Sequence, residues 1–234
     1  MAAFATGASA DPRPGPWDAA LAQFAAADRQ HPPEPGAVLF VGSSSIRLWN
    51  RLQQDFNFLP AVLNRGFGGS TMADCQQLVY PLVVRYQPRH VVLYAGENDL
   101  ADGRSPEQVL ESLRGFVEAL RSELPEVRLT YVSIKPSPSR AALLPKVREA
   151  NRLAAEYVAG LPRASFVDVF TPMLDATGAP RAELFGPDRL HMNGEGYALW
   201  RAALAQHVAV PQAVAAPAPP PALAPAGPAP LAAR

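Results

Sequence analysis

The chain has 234 residues, 48% of them hydrophobic, with 21 basic and 21 acidic side chains and a formal net charge of zero. That is enough apolar material for one sizeable domain with a buried core, and the even charge balance leaves no electrostatic footprint for nucleic acid or an anionic membrane. A single cysteine, Cys75, excludes an intrachain disulfide, and no apolar run approaches the roughly 20 residues that cross a bilayer. The expected partner is a small molecule, with no nucleic acid and no stable membrane insertion, and oligomeric state is not legible.

Residues 1–10 end in Ala8-Ser9-Ala10, a small-residue pattern like a signal-peptidase site, but no Lys or Arg precedes a short apolar run. The cytoplasm is the expected compartment, with periplasm or secretion the alternative if a signal segment has been removed. Residues 1–36 form a Pro-rich leading segment, with patches at 12–16 and 32–35 around one amphipathic helix that starts at Trp17 and packs Leu21 and Phe24 on the domain.

From 37 to 210, short Val- and Leu-rich runs alternate with stretches of helical period, and strands are expected at 37–42, 61–66, 90–96, 127–134 and 164–170. After Ser70 a helix should break near Tyr80, because Pro81 lacks the N–H that an interior turn needs; Met72, Cys75 and Val79 share its buried face. Over 105–124, Ser105 and Gln108 suit a capping box, Pro106 suits the first turn, and Leu110, Leu113, Val117, Leu120 and Leu124 form a stripe. A second helix follows over 145–161, and a last one from Asn193 buries Tyr197, Trp200 and Leu204. Residues 211–234 are nearly all Pro and Ala, which supply no face to bury, and are expected to be a disordered tail. The alternation implies an α/β fold, a three-layer α/β/α sandwich with a central parallel five-stranded sheet, because right-handed crossovers place helices on both faces.

In such a sheet ligands bind beyond the carboxyl ends of the strands, so the loops there carry the chemistry. Gly42-Ser43-Ser44-Ser45 follows the first strand, where a serine can expose its hydroxyl or simply cap a helix. Gly66-Phe67-Gly68-Gly69-Ser70-Thr71 follows the second, and its glycines either bring N–H groups close to a ligand or make a tight turn. Ala95-Gly96-Glu97-Asn98-Asp99 follows the third and offers an amide donor. Asp188-Arg189-Leu190-His191 precedes the last helix, and a carboxylate three residues before an imidazole can hold Nδ1–H and leave Nε2 to take a proton. His31, His90 and His207 have packing or solvated settings, and scattered His with one Cys offer no zinc spacing.

These four blocks together resemble the SGNH, or GDSL-like, hydrolase family, whose signature residues are Ser, Gly, Asn and His in separate blocks, and the resemblance extends over roughly residues 37–208. It implies the flavodoxin-like SGNH hydrolase fold and a serine esterase of carboxylic esters, with small acyl or acetylated-carbohydrate esters favoured. No metal or cofactor is implied. Carried over, the nucleophile falls on Ser44, the acid/base pair on Asp188 and His191, and the oxyanion hole on Ser44 N–H, Gly69 and Asn98. Where the family commonly has Gly-Asp-Ser-Leu this chain has Gly-Ser-Ser-Ser, so Ser45 is a local rival, and Glu97 replaces a common Gly before Asn98. Arg65, Glu97 and Lys135 are candidate substrate contacts, with Phe185 and the loop 135–140 shaping the pocket. The alternative is a nucleotide- or phosphate-binding α/β protein without hydrolase activity, suggested by Gly66-Phe67-Gly68-Gly69 but lacking the G-x-G-x-x-G spacing and the Lys-Ser/Thr of a Walker loop. A non-catalytic binding domain on the same fold is a third reading.

Overall fold

Each of the five Val- and Leu-rich runs forms a strand in the computed structural model, which describes residues 15–209. β1 (Val38–Gly42), β2 (Val62–Gly66), β3 (His90–Tyr94), β4 (Arg128–Val132) and β5 (Ala164–Val167) are all parallel, in the order β2-β1-β3-β4-β5. The last three end earlier than the apolar runs suggest, and past β4 and β5 backbone donors find side-chain partners. Ile134 N–H donates to Asn151 Oδ1 at 2.7 Å, and the N–H groups of Val169 and Phe170 donate to Ser133 Oγ. Buried donors are thus satisfied without further pairing.

Successive strand residues point to opposite faces. Leu39, Val41, Val91 and Leu93 join one apolar cluster, and Val38, Phe40, Val92 and Tyr94 join the other. On the first face lie α1 (Asp18–Gln30), α4 (Met72–Gln77), α5 (Val79–Leu82), α7 (Pro106–Glu123) and α8 (Leu144–Ala159); α2 (Ser44–Arg47), α3 (Leu52–Asp55) and α9 (Gly194–Val208) cover the second, and α6 (Glu97–Ala101) follows β3. The result is a three-layer α/β/α sandwich. Burial of Trp49, Phe56, Tyr94 and Trp200 at 2% exposure or less anchors the α2–α9 side.

The capping box of α7 forms as expected from Ser105 and Gln108. Its buried stripe is rotated, however: Val109, Phe116 and Ser112 join Leu113, Val117 and Leu120 inside, while Leu110 and Leu124 are only half-buried. The break expected near Tyr80 falls at Leu78, so Pro81 sits in the first turn of α5, where no intrahelical N–H is called for. The Trp17 helix packs on the core and is tied down at both ends. Trp17 Nε1–H donates to Asp74 Oδ1 at 2.9 Å and its ring meets Phe67 edge-on at 5.0 Å, while Asp28 accepts from Tyr86 OH at 2.6 Å and pairs with Arg65. The signal-like residues 1–10 and the Pro/Ala-rich stretch 211–234 lie outside the described residues, among which no helix is long and apolar enough to cross a membrane.

One core group makes stability pH-dependent. His90 opens β3, is buried, and has Nε2 2.8 Å from Thr130 Oγ1; burial first, then Arg128, Arg89 and His207, push its pKa down to about 3. An unfolded histidine titrates near 6.5, so between about 6.5 and 3 the unfolded chain binds the extra proton and stability falls as pH drops. Urea unfolding at stepped pH should show a His90→Gln variant losing less of its stability over that window than wild type, by a few kcal/mol. Equal acid losses in the two proteins would assign the effect elsewhere.

Candidate active site

The sheet register assembles the site. Gly42 is paired with Gly66 on one side and Tyr94 on the other, so the loops after β1, β2 and β3 leave the sheet at one level. β1 is also where strand order reverses, the position at which a crevice opens in such sheets. Gly42 itself has φ +135°, and a Cβ there would lie 1.8 Å from Tyr94 O; only glycine lets β1 end this close to β3.

Ser43 then holds the N-cap position of α2 with no side-chain capping bond, and Ser44 is the first helical residue. Capping therefore does not account for these serines. Ser45 is buried at 2% exposure, among residues that do not line the cleft, and its backbone carbonyl accepts from Tyr197 OH at 2.9 Å. Ser44 is half-buried, and its hydroxyl lies 2.9 Å from His191 Nε2. His191 Nδ1 lies 2.6 Å from Asp188 Oδ2. With the proton on Nδ1, the imidazole donates to Asp188 and accepts from Ser44.

The segment 186–192 is a closed turn, and its backbone prepares the carboxylate. Gly186 N–H donates to His191 O at 2.8 Å, and Phe185 bridges Met192. Asp188 Oδ1 accepts from the N–H groups of Leu190 and His191, both at 3.0 Å. These two N–H groups, then the ring bond, hold its carboxyl well below the usual carboxylate range, so Asp188 stays ionised into strongly acidic solution. Asn193 caps α9 by accepting from Glu195 and Gly196 N–H, and Ser139 N–H donates to Arg189 O at 3.0 Å, which fixes the turn from both sides.

Gly69 has φ +85°, a conformation that favours glycine. Its N–H and that of Ser44 have no hydrogen-bond partner among the described residues. Asn98 Nδ2 donates one hydrogen to Ser70 O at 2.9 Å, and its Oδ1 accepts from Arg140 Nη1 at 3.0 Å, which fixes the amide orientation and leaves the second Nδ2 hydrogen uncommitted. Ser44 and His191 open on a cleft of about 370 Å³ whose wall also includes Arg47, Gly69, Asn98 and Arg140. A larger hollow of about 520 Å³ between α3 and α9 contains none of the hydroxyl, imidazole or free N–H groups and has no comparable chemistry.

The three candidate substrate contacts are not in this cleft. Arg65 is 5% exposed, pairs with Asp28, and lies over the rings of Tyr86 and Phe24, so it is a tie for α1. Lys135 and Glu97 are both buried and bind each other at 2.6 Å, with Ser137 and Tyr94 OH completing the cluster. Burial alone would raise the Glu97 pKa, but the Lys135 ammonium and its hydrogen bond, with Ser137 and Arg140, hold it below the ordinary value. Phe185, also buried, lies beneath Lys135, with Nζ 5.7 Å from the ring centre. The charged residues that do reach the cleft are Arg140, in the loop singled out from sequence, and Arg47, which sequence reasoning missed although it stands one helical turn after Ser44. Cys75 lies in the core, where burial, then Asp99 and Asp74, keep its thiol protonated.

The chain is similar to several known proteins. Over 189 residues, 78% of each chain, the protein is 28% identical to platelet-activating factor acetylhydrolase IB subunit alpha1 of Bos taurus and, to the same extent, of Homo sapiens. A GDSL-like lipase from Bacteroides thetaiotaomicron shares the fold, with a TM-score of 0.67 and 22% identity over 80% of this chain and 96% of that one. Residues 40–199 match the model of the GDSL-like Lipase/Acylhydrolase family, a span that runs from β1 into α9 and takes in every loop of the cleft, and the chain belongs to that family.

Proposed function

We propose that the protein is a serine esterase that hydrolyses carboxylic esters of small acyl groups, acetyl foremost, with Ser44 as nucleophile, His191 as general base and Asp188 orienting the imidazole. The observation that carries this reading is the unbroken line Asp188–His191–Ser44, at 2.6 and 2.9 Å, ending in a cleft beside unpaired N–H groups. Family membership supports ester hydrolysis, and the acetylhydrolase relatives support a short acyl group.

In the first step Ser44 Oγ attacks the ester carbonyl carbon as its proton passes to His191 Nε2. The oxyanion is stabilised by the N–H groups of Ser44 and Gly69 and the second Nδ2 hydrogen of Asn98; one such donor typically contributes about 10²–10³-fold to kcat. The C–O bond then breaks, and His191 gives its proton to the departing alkoxide. Water attacks the acyl-serine, returns a proton through His191, and releases the carboxylic acid with Ser44 regenerated. The ionised Asp188 stabilises the imidazolium that forms in each half.

The purified protein should turn over p-nitrophenyl acetate and be labelled by a fluorophosphonate at one site, which peptide mass spectrometry maps to Ser44. Adduct formation on Ser43 or Ser45 would move the nucleophile. Neither turnover nor labelling would favour the binding-protein reading.

A further inference from the structure

The cleft has a charge imbalance that ester hydrolysis does not itself require. Among the described residues two arginines line it and no carboxylate does. Arg47 is exposed and makes no ion pair or side-chain hydrogen bond among the described residues; its guanidinium lies over the Gly68 backbone, where an added Cβ would fall 2.6 Å from Nε. Arg140 reaches Asn98 Oδ1 at 3.0 Å and Glu97 Oε1 at 3.6 Å. That carboxylate is already paired with Lys135 at 2.6 Å, so one buried negative charge faces two cations. The surplus positive charge emerges at Arg140, which is 22% exposed, whereas Lys135 is sealed at 1%. Asp188, the other nearby carboxylate, is engaged on the Nδ1 side of His191, away from Ser44.

We infer that the cleft selects esters bearing an anionic group, a carboxylate or a phosphate, a few atoms from the scissile carbonyl, with Arg47 and Arg140 as its receptors. A guanidinium presents paired N–H donors that match the two oxygens of either group. Arg140 has in addition a fixed anchor in Glu97, so little of its freedom is lost when an anion binds. Arg47 has no such anchor and supplies the adjustable half of the receptor. Because both guanidinium groups flank loops that supply the oxyanion donors, the anion is held beside the reacting carbonyl.

This inference rests on the esterase reading, and the test separates the two. The readout is the ratio of kcat/KM for charged and neutral esters of matched size, in which the active-enzyme concentration cancels. An acyl-side pair is mono-4-nitrophenyl adipate against 4-nitrophenyl hexanoate; an alcohol-side pair is 4-acetoxybenzoate against its methyl ester; 4-acetoxyphenyl phosphate against its neutral dimethyl phosphate ester tests phosphate. Ion pairs this accessible contribute up to about fivefold each, so a ratio of about 10 is expected in at least one pair at low salt. Added salt should compress it, since exposed charges are screened. Arg47→Gln and Arg140→Gln should each lower the ratio severalfold, and Arg47→Glu should bring it below that of Arg47→Gln. Turnover of the neutral esters with ratios near 1 in all pairs, or a ratio unmoved by all three substitutions, overturns the inference and leaves the esterase reading standing. No turnover of any ester overturns both.

Discussion

Ser44→Ala should lower kcat for p-nitrophenyl acetate by about 10⁴–10⁶-fold with an unchanged circular dichroism spectrum. Nucleophile, base and orienting carboxylate act as one unit, so removing the attacking oxygen forfeits nearly the whole contribution of the set, and only the oxyanion donors and substrate binding remain. The fold should not notice the change. Among the described residues Ser44 caps nothing and its hydroxyl bonds only to His191 Nε2, so Ala removes no contact that holds α2. Ser45→Ala provides the contrast, because that side chain is buried away from the cleft and the variant should retain most of its turnover. Full activity in Ser44→Ala, or loss in Ser45→Ala alone, would sink the assignment of the nucleophile.

Lys135→Met should destabilise the protein by about 3–5 kcal/mol, the usual cost of removing one partner from a buried ion pair. For a domain of this size that corresponds to a fall in Tm of about 10–15 °C. Lys135 Nζ donates to Glu97 Oε2 and Ser137 Oγ, both at 2.6 Å, and none of these groups is more than a few per cent exposed. Without the ammonium, Glu97 keeps only Tyr94 OH, Ser137 and the more distant Arg140, so the carboxylate must remain buried with half its counter-charge or take up a proton. The double variant Lys135→Met, Glu97→Gln should recover part of the loss, because the buried charge goes with its partner. A single variant within about 1 kcal/mol of wild type would mean that the pair is worth no more than a surface one. Activity should fall beyond what stability explains, since Glu97 begins α6, the helix that carries Asn98, and anchors the arginine that holds the Asn98 amide.

The two expectations rest on different kinds of information. Strand identity follows from short-range pattern: AVLFVG and HVVLYAG are apolar on both faces, as a strand covered by helices on each side must be, and the turn residues that follow them mark where the sheet ends. The Asp188–His191 pair is similarly local, because three residues of turn suffice to bring a carboxylate to Nδ1. The loops that carry Ser44, Gly69 and Asn98 could be placed at one edge, since a parallel sheet gathers the carboxyl ends of its strands whatever its detailed packing, while the choice of those residues within the loops came from the family resemblance.

Choosing among three adjacent serines was a tertiary matter. It depends on where α2 starts, and that is set by Gly42 closing against Tyr94 O, a contact between strands about fifty residues apart. The roles of the charged residues were likewise hidden. Arg65, Glu97 and Lys135 suggest a polar rim when taken as types, yet the first ties α1 to the core and the other two neutralise each other in the interior. Whether a charge faces solvent, substrate or a buried partner depends on packing between elements far apart in sequence: Lys135 and Glu97 lie 38 positions apart, Arg65 and Asp28 lie 37. The sequence by itself determined the α/β sandwich, the loops that meet and the residue types they bring. Only the tertiary structure decided which hydroxyl meets the imidazole and which arginines are left facing the cleft, because a burial cost and a missing counter-ion exist only once distant elements have packed together.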